Sequence, residues 1–306
     1  MQNTKTILIT GGSGFVGSHL IKHLKRKNYN VRILSRSKKS VEGVEVFLWD
    51  VNKMQIDERA VVGADYIVHL AGAGIADKKW TDERKKELYS SRIDSGKLIL
   101  DVIEKTGHKP EAVVCASASG IYESSQQGIN EASPLANDFT GNLCCDWEQQ
   151  NFKFESAGMR TIILRFGLVM SADGGVLKEL LKPMKFFIAP VFGNGKQFMP
   201  WIEIGDLCSL ITFCLEVKTV HGIFNAVAPQ KIPNGEIISE LQKHVRPSFK
   251  FYVPAFVLKI MLGKRADMLL NSYPLVADKI LGEGFGFRAN NICKLFDPII
   301  NPLPSV

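Results

Sequence analysis

The first third of the chain alternates short β-branched, apolar runs with amphipathic stretches. Residues 6–10 (TILIT) read as a strand, because such residues suit a pleated, buried surface. Residues 16–27 carry Val16, Leu20, Ile21 and Leu24 at helical spacing, so one face is apolar and a helix is predicted. The alternation continues with strands at 31–35, 44–49 and 66–70, a long helix at 81–105, a strand at 112–117, a helix around 143–156 and a strand at 160–166. Repeated strand–helix–strand units require a parallel sheet covered on both faces.

After Phe166 the pattern changes. Pro183, Pro190 and Pro200, with Gly193 and Gly195, are expected to break the chain into loops. A helix is predicted at 206–217 with Asp206 as its N-cap, then a short strand at 224–227 and a helix at 254–262. A segment at 266–272 and a loop carrying Gly282, Gly284 and Gly286 follow. There is no internal repeat and no low-complexity segment. The chain has 306 residues, and at roughly 150 residues per domain that length holds one larger α/β domain and a smaller one. The expected fold is α/β: a Rossmann-type doubly wound parallel sheet over 1–166, with a return segment near 196–228. A smaller C-terminal α/β domain on the substrate side spans 167–306.

The first strand runs straight into Gly11-Gly12-Ser13-Gly14-Phe15-Val16-Gly17, which opens the first helix. Gly11 or Gly12 lets the chain turn off the strand. Gly14 removes a side chain where backbone must approach a pyrophosphate, and Gly17 lets helix and sheet pack closely. The helix N-terminus offers free N–H groups and a partial positive charge to phosphate. The spacing fits GxGxxG and GxxGxxG equally.

The end of the second strand distinguishes NAD from NADP. An acid there would accept from the ribose hydroxyls and repel a 2′-phosphate. This chain has Ser35-Arg36-Ser37 followed by Lys38 and Lys39, with no acid. Arg36 can pair with a 2′-phosphate and stack on adenine, so NADP(H) is the expected cofactor, with NAD(H) as the alternative. The plainer reading of Arg36 is a solvated loop residue. Asp50, at the end of the third strand, could accept from the adenine amino group or cap a helix.

With these residues in hand, the chain resembles the atypical, epimerase-family branch of the extended short-chain dehydrogenases/reductases, the nucleoside-diphosphate-sugar epimerase-like proteins. The resemblance rests on ILITGGSGFVGSHL at 7–20, SRS at 35–37, HLAGAGIADKKWTDERKKELYSSRI at 69–93, LRFGLVM at 164–170, GNGKQFMPWIEIGDL at 193–207 and FNAVAP at 224–229. VPAFVLKIMLGKRADMLL at 253–270 is similar to the small C-terminal module of that branch, here at about 249–298. The resemblance selects the GxxGxxG register and implies cofactor contacts at Gly11, Ser13, Gly14, Phe15, Val16 and Gly17. It implies more at Ser35 and Arg36, at Leu70, Ala71 and Gly72, at Glu87 and Arg92, and near Val169. The plain alternative for Glu87 and Arg92 is a surface ion pair. Lys196, Gln197, Trp201 and Asp206 fall where the family builds its substrate pocket, although a tryptophan such as Trp201 more often packs in a core.

The chain departs from the superfamily at its chemistry. Ordinary members use Ser with Tyr-x-x-x-Lys, the lysine lowering the tyrosine pKa so that the phenolate acts as base. Four residues after Tyr29, Tyr66, Tyr89, Tyr122, Tyr252 and Tyr273 stand Ile33, Leu70, Ile93, Gln126, Phe256 and Ala277, none of them lysine. Thr140 and Cys144 occupy the places of the missing pair. Ser117, Ser119 and Tyr122 remain as candidate catalytic residues, with Asp146 or Glu148 as alternative bases. Two functions stay open. One is an NADP-dependent oxidoreductase or isomerase (epimerase) acting on a nucleotide sugar or another hydroxylated small molecule. The other is a non-catalytic NADP(H)-binding regulator or sensor.

Composition adds limits. Hydrophobic residues make up 45% and charged residues 23%, ordinary values for a globular chain. The six cysteines show no CxxC pair and no zinc spacing, so no metal is expected and a reducing, cytoplasmic setting is. No apolar run reaches the ~18 residues of a membrane span and the N-terminus does not read as a signal peptide, so no membrane partner is expected. The net charge of +7 is spread over clusters near 22–27, 38–39 and 78–86 that read as solvated helix faces, so no nucleic-acid partner is expected. Oligomeric state is left open, a homodimer included.

Overall fold

The computed structural model describes residues 4–38, 41–245 and 248–300. Lys39, named above beside Arg36, lies outside them. Two compact units emerge. The first is built from the chain up to Ser117, from Asn142–Leu164 and from Cys208–Ile223. The second is built from Ala118–Gly141, Arg165–Leu207 and the chain from Phe224 on. Compared with the expected boundary near 166, the first unit gives up 118–141 and takes back 208–223, a shorter return than 196–228.

In chain order the elements are β1 (Thr6–Thr10), α1 (Phe15–Arg26), β2 (Asn30–Ser35), β3 (Glu45–Asp50), β4 (Gln55–Ile56), β5 (Tyr66–His69), α2 (Asp82–Thr106), β6 (Ala112–Ala118), α3 (Phe139–Ser156) and β7 (Arg160–Phe166). Then come β8 (Leu168–Ser171), α4 (Gly175–Met184), β9 (Ile188–Phe192), β10 (Trp201–Glu203), α5 (Ile204–Glu216), β11 (Gly222–Ala226), α6 (Asn234–His244), β12 (Phe249–Val253) and α7 (Ala255–Leu262). An eight-stranded sheet has the order β11-β7-β6-β5-β1-β2-β3-β4. β1 pairs in parallel with β2 and β5, β2 with β3, and β5 with β6, while β4 runs antiparallel to β3. The order reverses between β1 and β5. In open α/β sheets the crevice beyond the carboxyl ends at such a reversal is where ligands bind.

The sheet is held by apolar packing. Leu8, Ile67, Val113 and Ile163 on the strands meet Leu98, Ile99, Val102 and Ile103 of α2 and Phe154 of α3. Each such side chain, fully buried, contributes roughly 1.5–3 kcal/mol. Helix α2 starts where Thr81 accepts a hydrogen bond from the Arg84 N–H, with Asp82 and Glu83 in its first turn. It stops at Gly107, whose φ of 71° few other residues adopt.

The second unit corrects the expectation of loops after Phe166. β8 pairs with β10 and β9 with β12, both in parallel. Leu177, Leu180 and Met184 of α4, Ala189 and Val191 of β9, and Ile237, Ile238 and Leu241 of α6 form its core. Pro183 does not break α4, because it sits next to the helix's last residue. A proline there costs one hydrogen bond to a carbonyl four residues back, which the buried face of the helix offsets. Asp206 is not the N-cap of α5. Glu203 takes that role, accepting from the Asp206 N–H at 2.8 Å. The Asp206 carboxylate is buried and accepts from the N–H groups of Arg288 and Ala289 at 3.1 and 2.8 Å.

Candidate functional site

The candidate site grows from the β1–α1 turn. Gly11 has φ 70°, and a Cβ there would come within 2.8 Å of the Leu70 carbonyl oxygen. That contact seats the turn directly on the strand end that follows β5. Gly17 is buried, and a Cβ on it would overlap the Gly11 carbonyl and the Gly12 backbone. Gly14 is the N-cap of α1, no side chain caps the helix, and no acid lies in its first turn. The first-turn N–H groups and the positive end of the helix dipole therefore have no built-in anion.

A cavity of about 560 Å³ opens over this turn. Of the expected cofactor residues, Gly11, Ser13, Gly14, Ser35, Arg36, Leu70, Ala71, Gly72 and Glu87 line it. Phe15, Val16 and Gly17 belong to the helix behind it, and Arg92 lies outside the lining. Val169 is on β8, in the second unit. Trp49, Asp50, Asn52, Lys78 and Arg84 also line the cavity. The Asp50 carboxylate accepts from the Lys53 N–H at 3.2 Å, so it closes a turn and caps no helix.

Arg36 is exposed at the rim. Glu87 pairs with Arg84 at 2.6 Å and not with Arg92. That hydrogen bond, with the charges of Lys78 and Arg36, holds the Glu87 carboxyl below its ordinary range. Arg84 is buried, donates to the Gly74 carbonyl, and has an Nε without a partner among the described residues. Nothing local in the sequence singles it out except its spacing, three residues after the N-cap Thr81 and three before Glu87, its neighbour on the surface of α2. Arg92 stacks over the Trp147 ring at 4.9 Å and donates to the Leu88 carbonyl. Burial works against its charge.

Beneath Leu70–Gly72 lies a polar cluster absent from the sequence reading. His69 is fully buried; its Nδ1 and the Thr10 hydroxyl share a 2.8 Å hydrogen bond, and its Nε2 lies 3.3 Å from the Ser95 hydroxyl. Thr10 also accepts from the Ala71 N–H at 3.1 Å, fixing the strip under the cavity. Burial pulls the His69 pKa down to about 4, so the ring is neutral at pH 7.

Ser117, Ser119 and Tyr122 are not among the residues that line the cavity. Ser117 is buried near the end of β6, donating to the buried Glu148 carboxylate of α3 at 2.6 Å. Ser119 opens the short turn after β6, in the second unit. Tyr122 is fully buried there, donating to Asn225 Oδ1 and accepting from Arg165, both at 2.7 Å. Asp146 is exposed and hydrogen-bonded with Tyr89. The Thr140 hydroxyl donates to Asp138, and Cys144 is buried. Trp201 is core, its Nε1 donating to the Gln230 carbonyl, and the Gln197 amide is spent on the carbonyls of Phe192 and Leu269.

Comparison with known proteins fits this geometry. The model of the NAD dependent epimerase/dehydratase family matches residues 7–226, and that of a domain of unknown function, DUF1731, matches 253–297. An epimerase family protein of Staphylococcus haemolyticus is 31% identical over 299 residues, covering 97% of this chain and 99% of its own. The human epimerase family protein SDR39U1, solved with NADPH, superposes with a TM-score of 0.85 at 27% identity, over 97% of this chain and 100% of that one. The UDP-glucuronic acid 4-epimerase of Bacillus cereus, solved with UDP-glucuronic acid and NAD, shares the fold at a TM-score of 0.77 and 17% identity, over 96% of this chain and 98% of that one.

Proposed function

The chain belongs to the NAD dependent epimerase/dehydratase family, and we propose that it holds NADP(H) in the cavity over the β1–α1 turn and uses it on a hydroxylated small molecule such as a nucleotide sugar. The observation that carries the cofactor reading is Arg36, a rim cation at the tip of β2 where an NAD site would place an acid. The residues present fit the group. The uncapped α1 N-terminus and the bare Gly11 and Gly14 backbone suit a pyrophosphate, and the Leu70–Gly72 strip gives the cofactor a floor. Among the lining cations, Arg84 is already tied to Glu87, which leaves Arg36, with Lys78, for a 2′-phosphate. Bound NADP(H) would supply hydride acceptance or donation.

The chain's own part in the chemistry is to hold and move a proton. We assign that role to the Ser117–Glu148 pair, a hydroxyl on a buried carboxylate two residues past the Cys115–His69 pairing of β6 and β5. Ser119 is a candidate substrate contact. Tyr122 is assigned a structural role, since both sides of its hydroxyl are spent. The second reading, a binder that senses NADP(H) without turnover, is favoured by one observation: no tyrosine of the chain has lysine four residues on.

One experiment separates them. NADPH binding is measured by fluorescence, and turnover is followed over a panel of nucleotide sugars and carbonyl compounds. Oxidation of NADPH or epimerisation of any member supports the enzyme. Tight NADPH binding with no turnover over the whole panel supports the sensor.

A further inference from the structure

The second unit carries an apolar surface that its core does not use. Phe186 and Phe187 lie just before β9, Phe249, Phe251 and Tyr252 on β12, and Phe256, Ile260 and Met261 on α7, each at least half exposed. The β9–β12 pairing and the hydrogen bond from the Phe249 N–H to the Phe187 carbonyl place the first two segments side by side. β12 runs through Pro254 directly into α7. Tyr252 points to the other face of β12 from Phe249 and Phe251; taking ~200 Å² for each large side chain, the other seven expose on the order of 900 Å². A typical soluble monomer's largest apolar patch is about 300–600 Å².

The same segments hold Lys178, Lys182, Lys185, Lys250, Lys259, Lys264 and Arg265 against a single acid, Glu179. Their local net charge is +6. Sequence spacing hides this, because the two runs are more than sixty residues apart and only the β9–β12 pairing joins them. Two copies of the chain meeting here would set seven cations against seven. An anionic lipid surface complements both features: aromatic and aliphatic side chains enter the headgroup boundary while lysines meet lipid charge.

We propose that this face, β12, α7 and the end of α4, docks the protein peripherally on an anionic membrane. No helix among the described residues is long and apolar enough to cross one, so the contact is with one leaflet. This departs from the expectation of no membrane partner. That expectation rested on the absence of a spanning segment, which does not bear on surface docking.

Co-sedimentation of the full chain with phosphatidylcholine vesicles, with and without roughly one-third phosphatidylglycerol, tests it. The anionic vesicles are expected to retain the protein at least tenfold better, and less so as salt is raised. The double substitution Phe256→Ser and Ile260→Ser is expected to lose at least tenfold in partitioning. Lys259→Glu with Lys264→Glu should lose about fivefold per cation. NADPH binding and the thermal melt serve as folding controls. Should the serine pair unfold the chain, the glutamate pair decides. Equal retention on both vesicle types, or retention unchanged in the folded variants, overturns the proposal. So does a dimer in solution that the same substitutions break, with no vesicle binding.

Discussion

The Tyr122 hydroxyl donates to Asn225 Oδ1 at 2.7 Å while accepting from Arg165 at the same distance. Its ring lies under the Arg165 guanidinium, 4.8 Å away. A phenol so occupied holds three chain segments together. Tyr122→Phe leaves a buried amide oxygen and a buried guanidinium short of a partner, and should cost about 1–3 kcal/mol of stability in urea denaturation. NADPH affinity should stay within twofold. A catalytic phenol would show the opposite, a loss of turnover with stability unchanged.

Gly17 faces the Gly11 carbonyl so closely that no Cβ fits between them. Gly17→Ala must push α1 off the turn, at a cost of roughly 1–3 kcal/mol. In the proposed cofactor site the displaced element offers N–H groups to phosphate, so NADPH affinity should fall at least tenfold in a titration. Wild-type affinity in a folded Gly17→Ala chain would show that α1 does not bind the pyrophosphate.

His69 makes stability depend on pH. Its folded-state pKa is about 4, below the ~6.5 of an unfolded histidine. The unfolded state therefore binds the proton more readily. Stability from this group is complete above pH 6.5 and is lost as pH falls through 6.5 toward 4. Urea midpoints should show about 2 kcal/mol lost between pH 7.5 and 5 from this residue. His69→Gln should flatten that part of the profile; an unaltered profile would contradict the buried neutral ring.

Ser117→Ala removes the hydroxyl from a buried carboxylate and should destabilise the chain by about 1–3 kcal/mol. Ser117 is not in the cavity lining, so NADPH affinity should not move. Any turnover found in the panel should drop at least tenfold, and unaltered turnover would remove the Ser117–Glu148 pair from the chemistry.

What the sequence made legible is what sterics and period control. The β1–α1 turn could be read because only glycine meets its spacing demands, and the strand–helix alternation because β-branched runs and a helical stripe differ in period. Three things were hidden for physical reasons. Pro183 signals a break in α4 that its place at the helix end does not impose. The role of Tyr122 depends on Arg165 and Asn225, 43 and 103 residues away, which no local pattern reports. Arg84 competes with Arg92 for Glu87, and the choice is made by the geometry of α2 and by the Trp147 ring that claims Arg92.

Whether Arg36 reads a 2′-phosphate is decided by titrating Arg36→Asp with NADPH and NADH. The substitution removes a charge-assisted pair and adds repulsion, so the NADPH Kd should rise about 100-fold. The NADH Kd should change by less than about threefold, or improve as the new acid accepts from ribose hydroxyls. Equal loss for both dinucleotides, or none for either, would contradict the account.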